Sequence, residues 1–198
     1  MQEKKHIQLP MTERDVLSLR VGDIVFLNGK IVTGRDKIHK LLCSDTKARQ
    51  EVPFNLKGTV LYHCGPIMKK TAGGFECVAG GPTTSMRLEM YESQVISAYG
   101  LRGVMGKGGM GSATLEAMKA HGCVYFQAIG GAAVYLSKRI KKVIDVWKLE
   151  EFGMTEAMWL LDVVDFPAIL TMDACSKSLH EEIEKQSSDI FRTLAGLR

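Results

Sequence analysis

"SMRLEMYESQVISAYGLRGVMGKGGMGSATLEAMKAHGCVYFQAI", residues 85–129, decides the fold class. Residues 85–99 read as a helix that stops at Gly100, a good C-terminal stop. "LRGVM" is a short strand, "GKGGMG" a glycine loop, "SATLEAMKAHG" a second helix ending at Gly122, and "CVYFQAI" another strand. Strands alternating with helices at this spacing predict an α/β domain.

Downstream, "GGAAVYLSKRI" reads as a loop and helix and "KKVIDVWKL" as a strand. "AMWLLDVVDF" and "AILTMDA" read as two strands flanking Pro167, and "SLHEEIEKQSSDIFRTLAGLR" as an amphipathic C-terminal helix. Upstream the pattern is richer in strands. "TERDVLSL" predicts a short helix with Thr12 as N-cap and Asp15 three residues later. "DIVFLNGKIVTG" predicts two strands joined at Asn28-Gly29, a strong hairpin signal. "RDKIHKLLCSDTKA" has helical apolar spacing, while "GTVLYHCGPI" and "GFECVAG" read as strands around a basic turn at Lys69-Lys70. No repeat or linker divides the chain, so residues 1–198 are expected to form one unit, β-rich first and α/β after.

Composition narrows the function classes. The 198 residues are 45% hydrophobic and 24% charged, ordinary globular material. A net charge of +4, with both signs interspersed, argues against a nucleic-acid footprint. The densest basic run, Lys138-Arg139-Ile140-Lys141-Lys142, falls where a helix is expected to end and complements its dipole. No stretch reaches the ~20 apolar residues of a membrane span, and "MQEKKHIQLP" has no apolar signal region. Five cysteines (Cys43, Cys64, Cys77, Cys123 and Cys175) form no C-x-x-C pair, and most are expected to be buried hydrophobes in a reduced, cytoplasmic protein.

The chemistry gathers at helix starts. "GGPTTSMR" and "GKGGMGS" each precede a helix, where unpaired N–H groups and a partial positive charge favour anions. Arg87 and Lys107 add cations there, and Arg35 repeats the pattern at the head of "RDKIH". Cations are locally unfavourable at such positions, so three of them point to an anionic ligand. "GKGGMG" matches G-x-G-x-x-G, but no acid lies about 20 residues on to hold a ribose, and Gly108 stands where a phosphate loop needs Ser or Thr. Separate arginines and a lysine suit a small dicarboxylate better. Thr83, Thr84 and Ser85 would sit beside it, with at least one of the three capping the helix.

"GRDKIH", "YHCGPI", "GPTTSMRLE" and "GKGGMG", in this order, resemble the β subunit of the iron–sulfur hydro-lyases, the class I fumarases and L-tartrate dehydratases. The resemblance runs from about "RVGDIVFLNGKIVTGRD" to about "FPAILTMDA". It implies a swivelling β/β/α domain facing an α subunit, in an α2β2 assembly, and a [4Fe-4S] cluster carried by that partner and not by this chain. It implies reversible hydration of fumarate to L-malate, with L-tartrate or a methylated relative as alternative substrates. Thr83 matches the threonine implicated in moving the C3 proton. Arg35, Arg87 and Lys107 match the carboxylate binders, and Thr84, Ser85 and Met86 lie in the loop that lines the substrate. His39, at the histidine of R-D-x-x-H, is either a second acid–base group or a structural histidine. A non-catalytic dicarboxylate-binding module and a dinucleotide-binding domain are the competing classes.

Overall fold

The computed structural model describes residues 4–44 and 51–196. The first part contains β1 (Lys4–Gln8), α1 (Glu13–Ser18), β2 (Ile24–Thr33), α2 (Asp36–Ser44), β3 (Val60–Tyr62), β4 (Ile67–Thr71) and β5 (Gly74–Ala79). A 3-10 turn (Ser85–Leu88) leads into α3 (Glu89–Tyr99), followed by β6 (Gly103–Gly106), α4 (Ser112–His121) and β7 (Val124–Gln127). The last part is α5 (Ala133–Ser137), β8 (Ile140–Trp147), α6 (Leu149–Phe152), β9 (Met158–Met172) and α7 (Leu179–Leu194). The expected extension of the second helix through residues 45–48 lies outside the described residues.

β2, β3, β6 and β7 run parallel, in that order. β9 is antiparallel to both β7 and β2, so the pairings return to their start and these five strands form a closed ring. β1 adds parallel to the first half of β2, and β8 antiparallel to the first part of β9. β4 and β5 form a separate antiparallel pair. The fold is therefore mixed α/β, with a strand-rich core and alternating strands and helices.

Period-two patterning builds two cores on opposite faces of the parallel strands. Val60, Tyr62, Met105, Val124 and Phe126 pack with Trp159, Leu161 and Phe166 in one cluster. Their neighbours Leu61, Val104 and Tyr125 face the other way and pack against Ile38 and Leu42 of α2, Val95 and Ile96 of α3, and Leu115 and Met118 of α4. Gly100 and Gly122 end α3 and α4 in the left-handed conformation, as their positions predict. Thr12 caps α1 in a full capping box with Asp15. Cys64, Cys77 and Cys123 are buried, Cys43 is half-buried, and Cys175 is exposed. Among the described residues, no helix is long and apolar enough to cross a membrane.

Three local expectations fail, the first two for a long-range reason. Asn28-Gly29 is not a hairpin: β2 continues through it as one ten-residue strand with a register shift against β9. Gly29 has φ +114°, and Asn28 Oδ1 accepts the Asp165 amide at 3.0 Å, so the pair forms an irregularity in the ladder rather than a reversal. Pro167 does not divide two strands either, since β9 runs through it opposite Phe26. The Leu170 amide bonds to Asp23 on the β2 side, so alternation turns the Pro167 nitrogen to the other edge. That edge pairs with β8 only up to Val163 and with β7 only from Ile169, so no ladder bond is missing at Pro167. Lys69 and Lys70 lie within β4, and the chain reverses beyond Thr71 instead.

A Cβ at Gly29 would stand 2.9 Å from the Leu9 carbonyl oxygen, whereas one at Gly73 meets nothing within 4 Å. Gly29→Ala is expected to lower stability by about 1–3 kcal/mol in urea denaturation, and Gly73→Ala to stay within about 0.5 kcal/mol. Equal midpoints for the two variants would contradict the assignment of Gly29 to an irregularity within a continuous strand.

Candidate active site

The parallel strands β2, β3 and β6 end at one edge of the sheet, and their carboxyl ends carry Arg35, His63 and Lys107 respectively. Parallel α/β sheets, open or closed, bind ligands at the carboxyl ends of their strands. The Thr83–Ser85 segment is laid across this edge by backbone hydrogen bonds. Thr83 N donates to the His63 carbonyl at 2.7 Å, Lys107 N to the Thr83 carbonyl at 3.2 Å, and Ser85 N to the Lys107 carbonyl at 2.9 Å. Thr83 and Lys107, 24 positions apart, are thus brought side by side. Thr83 and Lys107 are half-buried, while Thr84, Met86 and Arg87 are exposed.

Arg35 and Arg87 meet at one carboxylate. Arg87 Nη2 donates to both Asp36 oxygens at 3.1 and 3.0 Å, and Arg35 Nη2 stands 3.8 Å from Asp36 Oδ2. Arg35 is held from behind. Its Nε lies 3.3 Å from Glu156 Oε1 without hydrogen-bond alignment, and its side chain crosses Gly65, where a Cβ would stand 2.7 Å from Nη1. Arg35 and Arg87 therefore have acidic partners within the chain. The Arg87–Asp36 pair is 54% and 41% exposed, so it contributes little and exchanges readily.

The glycine loop differs from expectation. The helix start after "GKGGMG" is filled by the protein's own Glu89. Its carboxylate accepts from Gly111 N at 2.8 Å, Thr114 N at 3.1 Å and Thr114 Oγ1 at 2.7 Å. Gly108 N donates to Gln127 Oε1 at 3.0 Å. An internal carboxylate thus occupies the place where a dinucleotide phosphate would sit, which removes the main argument for that class. The expected helix cap is also not made. Thr84 stands at the N-cap position of the 3-10 turn without a side-chain capping bond, and Ser85 is turned inward.

Behind the Thr83–Ser85 segment lies a buried polar chain that the sequence reading did not assemble. Ser85 Oγ lies 2.8 Å from Tyr125 Oη and 2.8 Å from His63 Nδ1. His63 Nε2 and His39 Nε2 both lie 2.9 Å from Glu92 Oε2, and His39 Nδ1 lies 2.8 Å from the Arg35 carbonyl. Ser85, His63, His39 and Glu92 are fully buried. Gly106 makes room for the chain, because a Cβ there would overlap Ser85 Oγ.

Matching donors to acceptors fixes the protons. Both His39 nitrogens face acceptors, so its ring is the charged, doubly protonated form. Burial opposes that charge, but the attraction and hydrogen bond of Glu92 outweigh it and raise the His39 pKa. Burial raises the Glu92 pKa as well, yet the two histidines overcome it and hold the carboxyl down at about 2. For His63, burial prevails and the pKa is lowered, so the ring is neutral. Its Nε2–H donates to Glu92, and Nδ1 accepts from the Ser85 hydroxyl. The three side chains offer donor atoms within 4.8 Å of one another, spacing that suits a metal ion. Hydrogen bonds at 2.9 Å to a shared carboxylate oxygen already occupy both Nε2 atoms, while the second oxygen, Glu92 Oε1, is buried without a hydrogen-bond partner. His39 is out of contact with solvent, and of its two expected roles the structural one fits this packing.

The sequence of "YHCGPI" assigns His63 no role; its place directly after a parallel strand is the one signal that points to it. Glu92 lies seven residues, two helical turns, beyond Ser85, but an acid amid "YESQ" reads as a solvated surface charge.

Comparison with known proteins supplies the remaining observation. The family described as Fumarase C-terminus matches residues 1–183. A Geobacillus stearothermophilus protein provisionally named fumarate hydratase class I is 51% identical over 91% of this chain, which spans 34% of that relative's length. A Methanocaldococcus jannaschii protein provisionally named L(+)-tartrate dehydratase subunit beta is 42% identical, over 94% of this chain and 96% of its own. The L(+)-tartrate dehydratase subunit beta of Escherichia coli K12 is 36% identical, over 92% and 89%.

The depressed Glu92 pKa carries a linkage sign. Its stabilisation is present above the ordinary value of 4.5 and lost as pH falls toward about 2. The unmodified protein is therefore expected to exceed Glu92→Gln in urea midpoint at neutral pH, with the gap closing through that window. Glu92→Ala, which leaves the His39 charge unpaired, is expected to cost about 3–5 kcal/mol. A gap that stays constant from pH 7 to pH 2 would contradict the charge assignment.

Proposed function

The chain belongs to the Fumarase C-terminus family, and from that premise we propose that it is the β subunit of a hydro-lyase that hydrates fumarate reversibly to L-malate. The observation that carries this reading is the convergence of Arg35 and Arg87 on the Asp36 carboxylate, beside Thr83 and Lys107. Asp36 shows how the pair receives a carboxylate. A substrate carboxylate would take its place at Arg87 at small cost, because that ion pair is open to water.

In this reading Arg35 and Arg87 grip the substrate carboxylates and Lys107 adds a point charge. Fixed cations stabilise the negative charge that grows on the carboxylate as the neighbouring C3 proton leaves, and such preorganised electrostatics is commonly the largest catalytic contribution. Thr83, held by the His63 and Lys107 backbones, presents its hydroxyl to that proton. A threonine hydroxyl is a weak base and needs an activating group.

The residues of this chain do not fit an iron–sulfur cluster. Among the described residues the one group of side chains with metal-ligand spacing is His39, His63 and Glu92, which contains no cysteine, whereas a cluster is held by several cysteine thiolates. The [4Fe-4S] cluster then belongs to the partner α subunit, in an α2β2 assembly in which this chain is the swivelling β/β/α domain. The fumarate reading rests on the 51% identity to the Geobacillus relative, and L-tartrate is the alternative substrate supported by the β-subunit relatives.

The test is fumarate hydration, with L-tartrate dehydration beside it, by the chain assembled anaerobically with its co-purifying partner. Turnover by the complex and none by the isolated chain is expected. Thr83→Ala should lower kcat by at least about 10²-fold with malate binding retained. Arg87→Ala should also weaken binding, with a total loss of about 2.7–4 kcal/mol in transition-state stabilisation. Dicarboxylate binding without turnover of either acid, in a complex with an intact cluster, would favour the non-catalytic binding module.

A further inference from the structure

His63 grips the Thr83–Ser85 segment at both ends. Its carbonyl accepts the Thr83 amide at 2.7 Å, and its ring Nδ1 lies 2.8 Å from Ser85 Oγ. Lys107 clasps the same three residues from the other side with its own backbone N–H and carbonyl. The segment is therefore a short extended piece fixed by five hydrogen bonds, three through its backbone and two at the Ser85 hydroxyl, to His63 and Tyr125. The three backbone bonds set its register. The bonds of the Ser85 hydroxyl to His63 and Tyr125 fix how the segment is seated against the core, because Ser85 is its one fully buried residue.

The direction of the His63–Ser85 bond depends on which His63 nitrogen carries the proton. Nε2 faces Glu92 Oε2 at 2.9 Å, and a carboxylate oxygen accepts only. Glu92 therefore holds the proton on Nε2 and leaves Nδ1 as an acceptor for the Ser85 hydroxyl. Ser85 Oγ in turn accepts from Tyr125 Oη at 2.8 Å, and the Gly109 amide supports the tyrosine oxygen. A histidine whose second nitrogen is fixed by a carboxylate has one tautomer and one orientation.

We propose that His63 is a positioning residue for the hydro-lyase reaction. Held in its Nε2–H tautomer by Glu92, it seats Ser85 and thereby places the Thr83 hydroxyl against the substrate. The inference rests on the hydro-lyase reading for what Thr83 does, and on this chain alone for how Thr83 is held. His63 acts through Ser85 and touches no substrate, so its loss appears in turnover before it appears in binding. Misplacement of a reacting group by about 1 Å costs about 10²-fold in rate.

Two substitutions separate the ring's two hydrogen bonds. Asparagine places its amide near the Nδ1 position and can still accept from Ser85, whereas glutamine reaches the Nε2 position and can still donate to Glu92. In the assembled complex, His63→Gln is expected to lower kcat about 10²-fold with KM within about 3-fold, at nearly unchanged melting temperature. His63→Asn is expected to melt lower, yet to keep kcat within about 10-fold. Activity and stability thus fall in opposite order, which a purely structural histidine would not produce. In a Ser85→Ala background the extra loss from His63→Gln should disappear. Equal kcat losses from His63→Gln with and without Ser85 would overturn the proposal, as would a parallel fall of activity and stability.

One readout is independent of turnover and of whether any variant folds. In the unmodified isolated chain, ring ¹⁵N NMR should find His63 neutral, with its proton on Nε2 and Nδ1 accepting a hydrogen bond. A proton on Nδ1, or a stoichiometric metal whose removal by chelator shifts both Nε2 resonances, overturns the positioning proposal even if the complex is active. An inactive unmodified complex with the expected tautomer would instead count against the hydro-lyase reading.

Discussion

One carboxylate oxygen, Glu92 Oε2, receives hydrogen bonds from two buried histidines, and the arrangement of the sheet edge depends on it. His39 belongs to α2, His63 follows β3 and Glu92 lies in α3, so the shared oxygen ties three elements that no local interaction would align. An ionised group fully inside a protein is tolerated only when paired and hydrogen-bonded. Here the pairing distributes one negative and one positive charge over three side chains, and the remaining neutral ring still has a definite direction. Through that ring the core reaches Ser85, and through the His39 Nδ1–H it reaches the Arg35 carbonyl. Two of the segments that bear the proposed substrate-gripping groups are thus referred to the same buried point.

Around that point the chain uses its own acids as placeholders. Asp36 stands between Arg35 and Arg87, Glu156 stands behind Arg35, and Glu89 fills the helix start beyond the glycine loop. These three are not equivalent. Glu89 accepts three short hydrogen bonds in a partly buried place and belongs to the framework, whereas the Asp36–Arg87 pair is open to water and can be exchanged. The cations at the helix starts do meet carboxylates, and at Arg35 and Arg87 the chain supplies those carboxylates itself.

Legibility followed the range of the interactions. Elements governed by neighbours in sequence were readable: the Thr12 capping box, the glycine stops at Gly100 and Gly122, and the strand–helix alternation from residue 85 onward. Elements governed by distant partners were not. Asn28-Gly29 carries a hairpin signature, yet strands more than 100 residues away extend the backbone through it, and the same pairing carries β9 through Pro167. In the site, glycines, hydroxyls and cations announced themselves by type and spacing. Ser85 looked like one more hydroxyl for the ligand, and only packing turned it inward to His63 and Tyr125. A buried acid such as Glu92 leaves no trace in a helix that otherwise reads as surface.

The closed ring of strands also sets an order in time. β2 lies near the start of the chain and β9 near its end, and the register pairs Ile24 with Ile169. During synthesis the early strand must wait, with one edge unfilled, while nearly all of the intervening chain emerges. Contacts of such long sequence separation form late and slow folding, and an unpaired edge invites association with other chains meanwhile. The parallel strands that end in Arg35, His63 and Lys107 are complete well before that. The sheet edge that carries the site can thus be drafted early, but it becomes rigid only when the last long strand closes the ring.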